Sequence, residues 1–257
     1  MLGDIVGRPG RNAVVSHLPS LKDRLGADIV IANGENASGG MGLKKDAINA
    51  LKNSGVDVIT SGNHIWRYKE IVPQIERGDV LRPHNYSGDT PGSGVALITE
   101  KRSGITVGVL NLQGRVFMEP IDNPLHVATA AIDEMKSQGA DIIVVDFHAE
   151  ATAEKEATGW FLNGKVSLVV GTHTHVQTAD EKILPKGTGY ITDLGRCGAF
   201  YSVLGFRPQE SINGLLTGRK YSYKVSSDTV HIEGVIAEID NETGRCLTIE
   251  RVRISYE

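Results

Sequence analysis

A refrain limits what this chain can fold into: short apolar runs that each stop in residues able to bind a cation. Ala27-Asp28-Ile29-Val30-Ile31-Ala32 leads into Asn33-Gly34-Glu35-Asn36, and Val56-Asp57-Val58-Ile59-Thr60 into Ser61-Gly62-Asn63-His64. Ala140-Asp141-Ile142-Ile143-Val144-Val145 leads into Asp146-Phe147-His148-Ala149-Glu150, and Val166-Ser167-Leu168-Val169-Val170 into Gly171-Thr172-His173-Thr174-His175. Runs this short and this rich in Val and Ile read as strands buried on both faces. Met1-Leu2-Gly3-Asp4 is a fifth member, a strand expected to be cut short by the start of the sequence and to end at Asp4.

Helical spacing of apolar residues falls between the runs, over residues 12–25, 43–54, 68–77 and 125–138. Gly55 and Gly139 follow two of these segments as C-caps. Strand alternating with helix predicts an α/β fold with a mainly parallel sheet, whose C-terminal strand ends form one ligand-binding edge. Asp4, Glu35, Asn36, Asn63, His64, His148, His173 and His175 are therefore expected to converge. Residues 94–100 and 105–112 flank Lys101-Arg102-Ser103-Gly104 as a β-hairpin, and residues 221–254 alternate again as strands of a second sheet. With 257 residues and no Pro/Gly-rich linker, 1–257 reads as a single domain.

Composition excludes several classes. A formal charge of −4 without a basic block argues against a long nucleic-acid surface. The two cysteines, Cys197 and Cys246, make no metal-type spacing or disulfide framework, which fits a reducing cytoplasm. No apolar run reaches membrane-spanning length, and no signal peptide is expected.

The converging residues are carboxylates, carboxamides and imidazoles, with no thiolate among them. Such oxygen and nitrogen donors suit Fe, Mn or Zn and are wrong for a structural zinc site. They outnumber the ligands of one ion, whereas two ions sharing a bridging carboxylate would use them all. A two-metal site holds its ions about 3.5–4 Å apart, activates a hydroxide and clamps both sides of an in-line phosphoryl displacement. His173 and His175 lie two apart on a segment expected to be extended, so both would project the same way and reach different ions. Each motif alone has a bland reading, as turn residue, cap or strand-end polar group; their conjunction at five strand ends carries the reading. His17, His126 and His231 read as structural or exposed, while His84 lies in a loop that could approach the site.

The phrases GDIVGRPGR, NGENASGG, GNHIW, NLQGRVFMEPIDNP, DFHAEAT and GTHTHVQTAD resemble calcineurin-like metallophosphoesterases, and within them the bacterial YmdB-like phosphodiesterases. The resemblance implies a four-layer sandwich of two mixed β-sheets flanked by helices. It implies two metal ions, Fe or Mn before Zn or Mg, hydrolysis of cyclic nucleotides such as 2′,3′-cAMP, and a homo-oligomer, tetramer or dimer. Carried over by position, Asp4, Glu35, Asn36 and His175 would hold one ion; Glu35, Asn63, His148 and His173 would hold the other, with Glu35 bridging. His64 would stand beyond the metals and protonate the leaving ribose oxygen, since an imidazole exchanges protons near neutral pH. Asp146 and Glu150 would orient ligands from behind, and Arg115 would pair with a phosphate oxygen.

Two positions and one stretch depart from the family pattern. Val6 stands where a histidine is usual and Glu35 replaces an aspartate, both normal for the branch, whereas residues 195–201 are bulkier and more basic than the branch itself usually has. Alternatives on the same residues are a phosphomonoesterase or 5′-nucleotidase and a non-catalytic metal-binding scaffold. The metallo-β-lactamase pattern fails because Val176-Gln177 follows the histidines instead of Asp-His.

Overall fold

The structure is a computed structural model that describes residues 1–256. The apolar runs become β1 (Asp4–Ile5), β2 (Ile31–Asn33), β3 (Val58–Thr60), β6 (Ile142–His148) and β7 (Leu168–Thr172). Between β3 and β6 comes the hairpin β4 (Val95–Thr99) and β5 (Thr106–Gln113); after β7 come β8 (Lys182–Ile183), β9 (Gly189–Ile191), β10 (Arg196–Ala199), β11 (Val230–Ile239) and β12 (Cys246–Tyr256). The helices are α1 (Gly7–Leu25), α2 (Lys45–Asn53), α3 (Val72–Glu76), α4 (Pro124–Ser137), α5 (Thr152–Leu162) and α6 (Pro208–Thr217).

One mixed sheet runs β4-β5-β6-β7-β9-β8. The other runs β1-β10-β11-β12, and Leu2 ties the parallel pair β2-β3 to it by bridging Ala32 on one side and Gly234 on the other. Ile31, Val58, Val107, Val144, Val170 and Val235 pack between the sheets. Val14, Leu18, Ile48 and Leu51 of α1 and α2 cover the outer face of one sheet, and Ala128, Ile132 and Leu162 of α4 and α5 that of the other. The chain thus forms the four-layer α/β sandwich that the resemblance implies.

Several sequence expectations change. The five apolar runs do not share one sheet: β1, β2 and β3 lie on one side of the sandwich and β6 and β7 on the other. The hairpin is responsible, because β5 pairs in parallel with β6 and starts a second sheet. Asp4 opens β1 instead of ending it, because its ladder partner on β10 is Arg196 and pairing continues to Ile5. The segment 68–77 is not one helix: a 3₁₀ turn over Lys69–Ile71 runs into the short α3. α5 and α6 were not anticipated. α6 buries none of its residues, so it leaves no inward apolar stripe for periodicity to detect. Among the described residues no helix is long and apolar enough to cross a membrane.

Candidate metal centre

The two sheets meet at their polar edges, where the sequence places its donor residues. Glu35 lies at the middle. Its Oε1 stands 3.2 Å from His148 Nε2, 3.2 Å from His64 Nδ1 and 3.2 Å from Asn36 Nδ2. On one side, Asn36 Nδ2 lies 3.4 Å from Asp4 Oδ1 and 3.2 Å from His175 Nε2, which is itself 3.5 Å from Asp4 Oδ1. On the other side, His148 Nε2 lies 3.1 Å from Asn63 Oδ1 and 3.0 Å from His173 Nδ1. Glu35, His148 and His173 alone offer three ligand atoms within 4.8 Å of one another. All eight residues expected to converge are brought together, in two lobes joined at Glu35.

Local structure aims them. Glu35 N donates to Asn33 Oδ1 at 3.1 Å, which turns the chain straight off β2. Asn33 Nδ2 reaches across the sheet seam to Asp146, His148 and Thr172, each at 3.4 Å. Asn111 on β5 exchanges two 2.9 Å hydrogen bonds with the Ser61 backbone and so fixes the turn that presents Asn63 and His64. A Cβ at Gly62 would collide with the His148 ring, so only glycine lets that imidazole lie against the turn.

His173 and His175 are not on an extended segment. β7 stops at Thr172, and the two histidines take φ of 99° and 61°. Left-handed backbone at a non-glycine residue costs on the order of 1–3 kcal/mol and persists only where surroundings impose it. The twist sends the rings apart, His173 to one lobe and His175 to the other.

Every one of the three imidazoles turns one nitrogen inward and gives the other an outer partner. His148 Nδ1 lies 2.9 Å from Thr172 Oγ1, which donates to Asp146 Oδ1 at 2.7 Å. His173 Nε2 lies 3.0 Å from Glu150 Oε2, and His175 Nδ1 donates to the Leu204 carbonyl at 3.0 Å. This is how metal-binding histidines are held, the outer bond fixing tautomer and ring orientation. His64 stands at the rim with about a third of its side chain exposed. Its Nδ1 faces Asn36 Oδ1 at 2.9 Å and the Glu35 carboxylate; both are acceptors, so Nδ1 carries the hydrogen.

Electrostatics agree with a cation-binding cluster. Asp4 and Glu35 are fully buried, and among the described residues neither pairs with a lysine or arginine. Burial pushes the Glu35 carboxyl up, but the charge and hydrogen bonds of His148 and His64 outweigh it and hold it well below the usual carboxylate range. Burial alone would lower His148; Glu35, Asp4 and Asp146 lift it to about 9. His173 is pushed down to about 3, first by burial and then by the neighbouring His148. His148, raised by these carboxylates, thus gives them the kind of positive neighbour that a bound cation would provide. The donor set fits two ions of the Fe, Mn or Zn kind: nitrogen and oxygen in both lobes, one carboxylate between them, no thiolate.

Other candidates lie elsewhere. His17 stacks on Tyr256 at 3.6 Å and His231 on Phe200 at 3.9 Å, while His126 is exposed. His84 does not join the cluster; its backbone N donates to the Asn111 carbonyl. Arg115 is exposed on the loop after β5, two residues beyond Gln113, the ladder partner of His148. Arg196, the basic residue of the 195–201 stretch, donates to the His175 carbonyl at 2.8 Å and to Ala199 O, so it braces the site's wall. A cavity of about 890 Å³ opens between the sheets near Leu21, Ile29 and Ala237 and contains none of the candidate site residues. Sequence reasoning missed Asn33, Asn111 and Thr172. All three are buried polar residues at or near strand ends, a signal shared with the residues it found.

A four-layer sandwich with this two-lobed nitrogen and oxygen cluster at the seam of its sheets defines a metallophosphoesterase. A 5′-nucleotidase precursor from Thermus thermophilus shares the fold at a TM-score of 0.56 and 13% identity, over 93% of this chain and 48% of that one. The model of the YmdB-like protein family matches residues 1–252. The 2′,3′-cyclic-nucleotide 2′-phosphodiesterase of Bacillus subtilis strain 168 is 43% identical over 255 residues, 99% of this chain and 96% of that protein. A second protein from Thermus thermophilus, solved as a hypothetical protein, superposes with a TM-score of 0.92 at 38% identity, over 100% of this chain and 98% of that one. The chain belongs to the YmdB-like family.

Proposed function

We propose that this chain is a cyclic-nucleotide phosphodiesterase of the 2′,3′ type, working as one domain with two bound metal ions, Fe or Mn in preference to Zn or Mg. As a member of its family it is a phosphoric diester hydrolase. The observation that carries the two-ion reading is the orientation of the three imidazoles, each with one nitrogen turned into the cluster and the other bonded outward. Asp4 and His175 would hold one ion, joined by Asn36 once its amide turns Oδ1 in place of Nδ2 toward them; Asn63, His148 and His173 would hold the other, and Glu35 would touch both. When bound, the ions would polarise the phosphoryl oxygens and provide a nucleophile at neutral pH.

The residues of the chain do the rest. His64, outside the lobes with Nδ1 held by the Glu35 carboxylate, keeps Nε2 for the proton that the leaving ribose oxygen requires. A small nucleotide matches the absence of a basic tract in the sequence. Two free, buried thiols fit a reducing cytoplasm, and self-assembly as a dimer or tetramer belongs to the same reading.

The test is metal analysis paired with a substrate panel. Protein purified without oxygen should carry two ions per chain and cleave 2′,3′-cAMP and bis-p-nitrophenyl phosphate in preference to p-nitrophenyl phosphate. Turnover of the monoester alone would keep the centre and replace the substrate reading with a phosphomonoesterase or 5′-nucleotidase. Two ions with no turnover of any of these would favour a non-catalytic metal-binding scaffold.

A further inference from the structure

Lys155 and Asp193 stand outside every lobe described above, yet they are 1% and 0% exposed. Lys155 sits on the inward face of α5, and Asp193 lies in the turn between β9 and β10. Lys155 Nζ donates to Asp193 Oδ2 at 2.6 Å. The same oxygen accepts from Thr174 N at 3.1 Å and from Thr174 Oγ1 at 2.8 Å. Asp193 Oδ1 accepts from Gly195 N at 2.9 Å, and the Gly195 carbonyl in turn accepts from Asp4 N at 3.1 Å.

These bonds place one carboxylate behind three candidate ligands. Thr174 is the residue between His173 and His175, and both neighbours hold left-handed backbone. Two hydrogen bonds from Thr174 to a single buried oxygen fix the middle of that twist. Gly195 carries the same anchor to the backbone of Asp4. A buried carboxylate needs a countercharge and filled acceptor sites to remain ionised; Lys155 supplies the charge, and Thr174 and Gly195 fill the sites. At the end of β7 a Cβ on Gly171 would lie 3.0 Å from Lys155 Cδ, so the lysine stem passes close beside the strand that carries the histidines.

We propose that the Lys155–Asp193 pair is a positioning device for the centre: it sets the Thr174 turn that divides His173 and His175 between the lobes, and through Gly195 it sets Asp4. The inference rests on the two-ion reading above. Neither residue touches a reacting atom; both act through the ligands. A purely structural ion pair would predict that removing both charges together leaves the ligands where they are. A positioning pair predicts that the fold survives and the ligand geometry does not, because the carboxamide of Asp193→Asn has one acceptor oxygen where Thr174 and Gly195 use two.

The experiment is a Mn²⁺ titration of the full chain, with free Mn²⁺ followed by electron paramagnetic resonance. Wild type is compared with the charge-neutral double variant Lys155→Met/Asp193→Asn and with Thr174→Val and Thr174→Ser. The double variant should bind Mn²⁺ about 10–100-fold more weakly, the cost usual for partners lying behind metal ligands, while its circular dichroism stays that of wild type. Thr174→Val should weaken binding in the same direction and Thr174→Ser should restore it. Wild-type affinity at both sites in the double variant, or in Thr174→Val, overturns the proposal. If the double variant does not fold, the Val and Ser pair decides alone. Fewer than two Mn²⁺ bound by wild type would instead overturn the two-ion reading itself, and the inference with it.

Discussion

Oxygen reaches the centre from one sheet and nitrogen from the other. Asp4, Glu35, Asn36 and Asn63 stand on or just after β1, β2 and β3, whereas His148, His173 and His175 end or follow β6 and β7. Taken separately, one side would bury two carboxylates with no countercharge and the other would crowd imidazoles 3.0 Å apart. Closing the sandwich pairs them: Glu35 with His148, Asp4 with His175. The cross-seam bonds of Thr60 and Asn33 to Asp146, and of Ser61 to Asn111, tighten the same junction. The apolar layer between the sheets and the polar cluster at their edge are therefore one structural event. A charge left unpaired there would cost about 3–5 kcal/mol, so the cluster also enforces how the sheets register.

The sharpest way to break this pairing of sheets is Glu35→Ala, which removes the residue both lobes share. Metal content should fall from two ions to none, and turnover should drop below detection. Partners behind metal ligands already cost about 10–100-fold, and Glu35 is more central than any of them. Elemental analysis with a 2′,3′-cAMP assay reads both effects, and a variant that kept two ions would deny Glu35 its place between the lobes. His64→Ala comes next and acts differently. Turnover should fall roughly a hundredfold, a common cost of losing a general acid, while both ions stay bound. Loss of metal in that variant would make His64 a ligand and remove the acid from the scheme.

The split between sheets was the part the sequence hid. Val/Ile runs ending in donors made the strand ends legible, and with them the eight residues of the cluster. The runs do not say which neighbours they pair with. β5, from the hairpin inserted between β3 and α4, is the strand that pairs with β6, and nothing in periodicity ranks that pairing above a direct β3–β6 contact. The polar pairings that lock the seam were hidden for a related reason. Asn33 and Asp146 meet across 113 positions, and Lys155 and Asp193 across 38; Asp146 was legible as a residue behind the ligands, but its partner Asn33 and the Lys155–Asp193 pair were not. The left-handed φ of His173 and His175 was also invisible, because distant contacts hold that turn and local residue preference does not ask for it. A histidine after a strand is expected to continue it until a distant partner is known.

Two milder changes separate buried bracing from exposed bracing on the nitrogen side. Asp146→Asn leaves size unchanged but weakens the acceptor at Thr172 that keeps His148 Nδ1 pointed outward. Affinity for the ion beside His148 should fall about tenfold, with a smaller change at the lobe of Asp4 and His175. Equal loss at both lobes would mean that Asp146 serves the seam as a whole instead of one imidazole.

Glu150→Gln should do least. Glu150 bonds the outward nitrogen of His173 as Asp146 serves His148 through Thr172, but half of its side chain is in water. With His173 pushed down to about 3 this contact is a hydrogen bond from a neutral imidazole, and a half-exposed one contributes at the low end of about 0.5–1.5 kcal/mol because water competes for it. The glutamine keeps a carbonyl oxygen that can accept the same hydrogen. Metal affinity and turnover should therefore change by less than about threefold, measured beside Asp146→Asn under one buffer. A tenfold loss in Glu150→Gln would show that His173 depends on its exposed partner as much as His148 depends on its buried one. Orientation of the nitrogen side would then be set by outer bonds alone, wherever they lie, and the closed seam would lose its claim to govern the centre.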